Sequence, residues 1–408
     1  MSMHFQSRMI ILTLAGFRSV TQNPIPDQKG VIHMKNKNLI KVISIALLFL
    51  LLFVNSSVSA AEGSSDKFIF QEPNDPVTFH TILQQEAIEA GADQISKFSN
   101  MGEEELSLPE GITIRWNYED ASIPDCFIVK ISNEETMDQA KEYHVIPQID
   151  PGSDPNYPYC LTFQNLLLGT TYYYTVRAGE NISDVHSFST SSLGPRNLYI
   201  EGVTNVRDIG GWATSDGGHV KQGMLIRCGQ LNTEETTTPC ITEAGIQALL
   251  DLGIRTEIDL RRTDDNEQGG ITESPLGSEV QYYSLPVTGI VDISKDVDSI
   301  RSLFRLLADS SNYPMIYHCQ IGTDRTGLVS YLILTLCGVS IEDIHMDFAF
   351  SNLALIHARR EPHNLDKRVK NNFEDYSGST PQETVRNYLR SIGITDEEMD
   401  QIVSILVE

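Results

Sequence analysis

The run PMIYHCQIGTDRTGLVSYLILTLCG, Pro314 to Gly338, constrains the fold more than any other stretch of the chain. Met315-Ile316-Tyr317 is short and apolar without alternation, which is the pattern of a strand buried on both faces. A polar loop with two glycines follows, and then a mostly apolar helix that ends at Gly338. A buried strand feeding a buried helix needs covering layers on both sides, as in an α/β domain with a mainly parallel sheet flanked by helices.

The flanking sequence agrees. ITEAGIQALLDLG has helical apolar spacing with Gly253 as its C-cap, and IRTEIDL follows as a strand. DVDSIRSLFRLLAD, PQETVRNYLRSIG and TDEEMDQIVSILV read as further helices, so the α/β domain is expected over residues 196–408. Residues 66–195 read differently. GITIRWNY, CFIVKIS, TTYYYTVRAG and SDVHSFST are short strands separated by turn residues, as in an all-β antiparallel sandwich with Trp116 in its core. FHTILQQEAIEAGADQISKFSN, within the same region, is helical in composition and does not fit a sandwich. STSSLGPRN is the expected linker. At 408 residues the chain has room for both domains.

Residues 1–60 stand apart. From Met34, the basic Lys35, Lys37 and Lys41 precede the unbroken apolar stretch Val42 to Val54, and Val58-Ser59-Ala60 forms a small-residue cleavage site. This is a signal-peptide layout whose core is short for a membrane span. The expectation is translation from Met34, cleavage near Ala61, and export to the periplasm or the extracellular space with no stable membrane insertion afterwards. An uncleaved anchor is the competing reading. Six cysteines are too few for a disulfide-built scaffold. Cys126 and Cys160 lie in one region and are a candidate pair after export, Cys337 reads as a buried small hydrophobe, and Cys228 and Cys240 are ambiguous. The net charge of −25 argues against nucleic acid as a partner, because phosphate backbones need a basic face. It also weighs against a highly anionic substrate, unless a local basic pocket overrides the global field.

The loop inside the opening run carries chemistry. Ligands of such folds sit beyond the carboxyl ends of the strands. A helix beginning near Arg325 directs its free N–H groups and positive end at the loop, and the N–H groups of Gln320, Ile321, Gly322, Thr323 and their successors can curl into an anion-binding nest. Gly322 relieves the steric cost of that curl, and Arg325 is suited to grip two oxygens of one anion. Cys319 sits where the anion approaches, and the same positive field lowers its pKa below the free-thiol value of about 8.5. A thiolate beneath a held phosphate is placed for in-line attack on phosphorus. Asp324 is the nearest acid for the leaving oxygen. Thr326 can hydrogen-bond the sulfur, and His318 reads as a residue that orders the loop through its ring nitrogens. No metal or cofactor is called for, since arginine and amides carry the charge. A C-x5-R spacing alone arises by accident, a lone cysteine is more often structural, and a lone aspartate there is most often an N-cap. The conjunction of all of them between a strand and a helix decides for chemistry.

That conjunction resembles the protein tyrosine phosphatase superfamily, whose signature is H-C-x5-R followed by Ser or Thr. HCQIGTDRTG is similar to the loop of the bacterial tyrosine phosphatase family typified by secreted mycobacterial enzymes of dual protein and lipid specificity. NVRDIGGW (Asn205 to Trp212), KQGMLIRCGQL and GIRTEIDLRRTDD resemble further motifs of that family, and DFAFSN resembles one of its helix starts. The resemblance implies Cys319 as nucleophile, Arg325 as phosphate binder and Asp324 as general acid. Thr323 stands where the lipid-active members carry a lysine, which removes a cation suited to an inositol phosphate. Asp264, Asp265 and Glu267 follow the Asp-Leu-Arg run and receive no role. Arg207 and Asp208 are a candidate ion pair bracing the loop, a structural role at least as well supported as substrate contact. NLLLGTTYYYTVRAG with SDVHSFST resembles the closing strands of fibronectin type III-like domains, on Leu168-Gly169-Thr170, the tyrosines and Phe188.

The expected function is an exported cysteine-dependent phosphatase acting through a phosphocysteine on phosphotyrosine, with phosphoserine, phosphothreonine and phosphoinositide as further candidates. The partner is a phosphorylated protein or a small phosphomonoester, and the sandwich names no partner of its own. The competing readings are a phytase-like inositol polyphosphate phosphatase, which needs a lysine- and arginine-rich pocket, and a binding protein with an inert phosphatase domain. A sulfurtransferase also places a cysteine under an anion nest, but Asp-Arg-Thr-Gly favours phosphate hydrolysis.

Overall fold

The computed structural model describes residues 67–149, 154–232, 240–263, 270–288 and 292–408. The signal-like segment, Asp264, Asp265 and Glu267 lie outside the described residues. The first half runs β1 (Phe68–Gln71), α1 (Ile82–Ala90), β2 (Ile112–Tyr118), β3 (Phe127–Ser132), β4 (Lys141–Val145), β5 (Tyr159–Phe163), β6 (Thr171–Ala178), β7 (Asn181–Ile182) and β8 (His186–Ser189). Strands β1, β2 and β5 form one antiparallel sheet, and β4, β3, β6, β7 and β8 form another. Alternation sends Ile112, Ile114 and Trp116 of the first sheet and Phe127, Val129 and Tyr174 of the second into one shared core. There Trp116 meets Phe127 edge-on, with ring centres 5.5 Å apart.

Between β1 and β2 the chain leaves the sheets. Thr81 and Gln84 form a capping box at the start of α1. Ala87, Ile88 and Ile95 then pack against Ala349, Phe350 and Leu353, far along the chain. Gln84 is wholly buried: its amide donates to the carbonyls of Leu106 and Leu108 at 2.8 and 2.7 Å, and its side-chain oxygen accepts from Asn197 at 3.0 Å. The Leu106 N–H donates to the Leu353 carbonyl at 2.7 Å, and the Ser96 hydroxyl to Glu361 at 2.5 Å. The helical segment that fits no sandwich is a strap across the second half.

That half runs β9 (Arg196–Asn197), β10 (Arg207–Asp208), β11 (Leu225–Cys228), α2 (Glu243–Asp251), β12 (Thr256–Asp259), β13 (Gln281–Ser284), α3 (Val297–Leu307), β14 (Met315–His318), α4 (Asp324–Leu336), α5 (Ile341–Phe350), α6 (Pro362–Phe373), α7 (Pro381–Ser391) and α8 (Asp396–Leu406). Its sheet has the order β13-β12-β14-β11-β10-β9. The pairings among β11, β12, β13 and β14 are parallel, and β10 is antiparallel to both neighbours. Ile226 and Ile316 point to the face covered by Leu249 of α2, whereas Met315 and Tyr317 point to the face covered by α3, α4, α7 and α8. Coverage on both sides is why β14 reads as continuous apolar sequence.

Three details differ from expectation. The supposed linker is built into both halves: Ser191 donates to the Val77 carbonyl at 2.7 Å, and buried Arg196 reaches the carbonyls of Asn165 and Leu166 at 2.6 and 2.9 Å. DFAFSN closes α5 instead of opening a helix, because that helix already begins at its Ser340 cap. Cys126 and Cys160 are unpaired; one precedes β3 and the other lies in β5 of the opposite sheet.

The strap gives a test. Gln84→Ala leaves the Leu106 and Leu108 carbonyls and the Asn197 amide short of a partner, so it is expected to lower stability by about 2 kcal/mol or more in urea denaturation.

Candidate active site

Strand β14 ends at His318, and the chain turns through Cys319 to Thr323 before α4 begins at Asp324. Cys319 is 1% exposed. It lies at a cavity of about 260 Å³ lined also by Gln320, Ile321, Asp324, Arg325, Arg262 and Thr288. Arg262 and Thr288 come from the loops after β12 and β13, so the cavity opens at the carboxyl ends of three neighbouring parallel strands. A larger cleft of about 1130 Å³, lined by Trp212, His219 and His345 among others, shares no residue with it.

The loop is held from behind. Asn205 donates to the carbonyls of Ile321 and Gly322, each at 3.0 Å, and Arg227 donates to the Gly322 carbonyl at 2.7 Å. In a trans peptide the N–H points opposite to the carbonyl, so the N–H groups of Gly322 and Thr323 turn away from these residues. Gly322 has φ +67°, and a Cβ there would stand 2.4 Å from the Cys228 carbonyl oxygen. Only glycine fits so tight and left-handed a passage.

A buried ionic network fixes those holders. Arg207 donates to Asp347 at 2.8 Å and to the side-chain oxygen of Asn205 at 2.5 Å, while Arg227 pairs with the other oxygen of Asp347. All three charged groups are at most 1% exposed. Burial and the like charge of Arg227 lower the Arg207 pKa to about 10, so it stays charged at neutral pH. Burial alone would raise the Asp347 carboxyl, but the two arginines hold it below the usual carboxylate range.

The expected Arg207–Asp208 pair does not form. They are consecutive residues of β10 and so face opposite sides of the sheet: Arg207 serves Asp347, and Asp208 pairs with Arg196 at 2.5 Å. Thr323 is wholly buried, its hydroxyl donating to the Ile321 carbonyl at 3.2 Å, so its side chain lies behind the loop and not in the cavity.

His318 closes β14 with its ring packed against two carboxylates of β12. Its Nε2 lies 3.0 Å from Glu257 and its Nδ1 3.8 Å from Asp259, all fully buried. Burial pushes its pKa down, but Asp259 and Glu257 outweigh that and raise it. Burial likewise pushes the Cys319 thiol up, and is outweighed by the Arg325 charge and by hydrogen bonds from the Thr326 hydroxyl and backbone N–H. The thiol therefore lies below its ordinary value, despite opposition from Asp324. Neighbouring Cys228 goes the other way: burial, with Glu257, keeps it a thiol.

Asp324 faces the cavity but is gripped by two arginines that the sequence reading did not single out. Arg360 donates to both of its oxygens at 2.9 Å, and Arg368 stands 2.7 Å from one of them. Burial would raise this carboxyl; the hydrogen bond and charge of Arg360 and the charge of Arg368 lower it instead. Asp347, Asn205 and Arg227 were also missed as loop holders, although each lies within a quoted motif. The signal for Arg360 and Arg368 is compositional: a basic stretch, HARREPHNLDKRVK, in a chain of net charge −25.

Two outcomes follow. Asp347→Asn leaves two buried guanidinium groups short of their anion and is expected to cost about 3–5 kcal/mol in denaturant unfolding. Alkylation of Cys319 by iodoacetamide is expected to rise with pH around a midpoint below that of a free thiol, and Arg325→Met is expected to move that midpoint up.

Residues 198–408 match the model described as Tyrosine phosphatase family. The chain is similar to a tyrosine-protein phosphatase of Nostoc commune, 24% identical over 206 residues, which cover 40% of this chain and 69% of the relative. Among solved structures it is similar to P. aeruginosa TpbA, at 16% identity and a TM-score of 0.28 over 45% of this chain and 97% of that one. With the family match spanning half of its length, this protein belongs to the tyrosine phosphatase family and is a phosphatase.

Proposed function

We propose that the chain is an exported phosphatase that hydrolyses phosphotyrosine monoesters through a phosphocysteine at Cys319. The observation that carries this reading is a buried thiol of lowered pKa, beside Arg325, at the floor of a cavity. The Cys319 sulfur attacks phosphorus, a P–S bond forms, and the P–O bond to the phenol breaks. Arg325 and the inward-turned N–H groups hold the phosphoryl oxygens through that change. Asp324 supplies the proton for the departing phenoxide. Water then attacks phosphorus, Asp324 takes up its proton, and Cys319 leaves as a thiolate eased by Thr326. His318 is a positioning residue. It keeps the end of β14, and so the sulfur, fixed relative to β12.

The name of the Nostoc commune relative, a tyrosine-protein phosphatase, supports phosphotyrosine as the substrate. The basic leader, apolar core and small-residue site over Met34–Ala60 support export. The two antiparallel sheets over one core support a fibronectin type III-like module ahead of the catalytic half, with boundaries near residues 66, 195 and 408.

The test is turnover of an aryl phosphate in the presence of a chelator. Wild type is expected to be active, and Cys319→Ser to lose about four orders of magnitude or more in kcat/KM. Full activity in Cys319→Ser would falsify this reading, as would loss of wild-type activity with the chelator.

A further inference from the structure

An acid must hold a proton before it can give one, and Asp324 in its clamp is held as an anion. The clamp is firmly built. The Arg360 backbone N–H donates to Asn352 at 2.8 Å and its carbonyl accepts from Asn352 at 2.7 Å. Arg368, on α6, lies over the ring of Phe348 at 5.6 Å. Two guanidinium groups thus converge on a single carboxylate at the rim of the Cys319 cavity, which leaves one positive charge unmatched within that cluster. Arg325 and Arg262 line the same cavity. At physiological salt the Debye length is about 8 Å, so a substrate in the cavity feels this basic group more than the distant acids behind the net charge of −25.

We propose that Arg360 and Arg368 form a second anion subsite, which takes a carboxylate or phosphate borne by the substrate beside its reacting phosphate and gives up Asp324 in exchange. The proposal rests on the phosphatase reading above and deepens it by naming a substrate class, phosphotyrosine flanked by acidic groups. The exchange is close to balanced in charge, because one anion replaces another on the same arginines. Once released, Asp324 faces the bound phosphoryl group, a like charge that raises a carboxyl pKa. It takes one proton from solvent and passes it to the phenoxide when the P–O bond breaks. Among the described residues, the charged groups around it are Arg360 from the segment before α6, Arg368 from α6, Arg325 and Cys319 from the loop, and Arg262 from the loop after β12.

The experiment compares two phosphotyrosyl peptides, one flanked by glutamates and one by alanines, on the full chain. Wild type is expected to prefer the glutamate peptide by about tenfold in kcat/KM, the scale of one charge-assisted contact. Arg360→Gln and Arg368→Gln are each expected to shrink that ratio towards one. Each is also expected to move the alkaline limb of kcat for the alanine peptide to higher pH, since loss of a cation raises the Asp324 pKa. Should either variant fail to fold, calorimetry on Cys319→Ser decides with the clamp intact. It is expected to bind the glutamate peptide more tightly and with uptake of one proton, read from the buffer dependence of the heat. Equal rates on the two peptides by an active wild type, a preference that survives both variants, or binding without proton uptake would overturn the subsite. Failure of wild type on both peptides, or an active Cys319→Ser, would instead overturn the phosphatase reading.

Discussion

Everything at the site depends on one buried carboxylate. Asp347 holds Arg207 and Arg227, and these hold Asn205 and the Gly322 carbonyl. Buried ion pairs are weak evidence for net stability, because desolvation offsets the attraction. Their value here is positional. Two loop carbonyls are fastened on one side, so their peptide N–H groups must face the other. A nest of amides that had to organise on binding would repay part of its attraction as ordering entropy; this one is ordered beforehand.

Charge is laid out in two separate layers around the sulfur. Behind it, the His318 ring and three guanidinium groups are matched by Glu257, Asp259 and Asp347, all buried. In front, Arg325 and Arg262 line the cavity. The two cysteines at neighbouring strand ends show how local the effect is. Cys319 is lowered by Arg325 and Thr326, whereas at Cys228 burial and Glu257 outweigh the Arg227 charge and raise the thiol.

Much of this was legible in the sequence wherever the signal is local. The apolar run before Cys319, the left-handed turn at Gly322 and the apolar helix after it lie within two dozen residues, so period and spacing reveal them. Alternation likewise disclosed the strands around Trp116. What stayed hidden depends on partners distant in the chain. Asp347 meets Arg207 and Arg227 across intervals of 140 and 120 residues. Nothing in DFAFSN says which of its residues turns inward. The Arg207–Asp208 expectation failed because adjacency in sequence was read as adjacency in space, which a strand forbids. Arg360 and Arg368 sat in a basic stretch that looks like a solvated helix face until Asp324 is placed beneath it.

The strap carries a consequence for how such a chain can be dissected. Phe350 and Leu353 rest on Ala87, Ile88 and Ile95, and the segment they begin leads directly to Arg360. A fragment cut to the family-matching region would bare that apolar seam to water and let its neighbouring arginine drift. The strap thus belongs to the packing of the catalytic half, although it precedes that half in the chain.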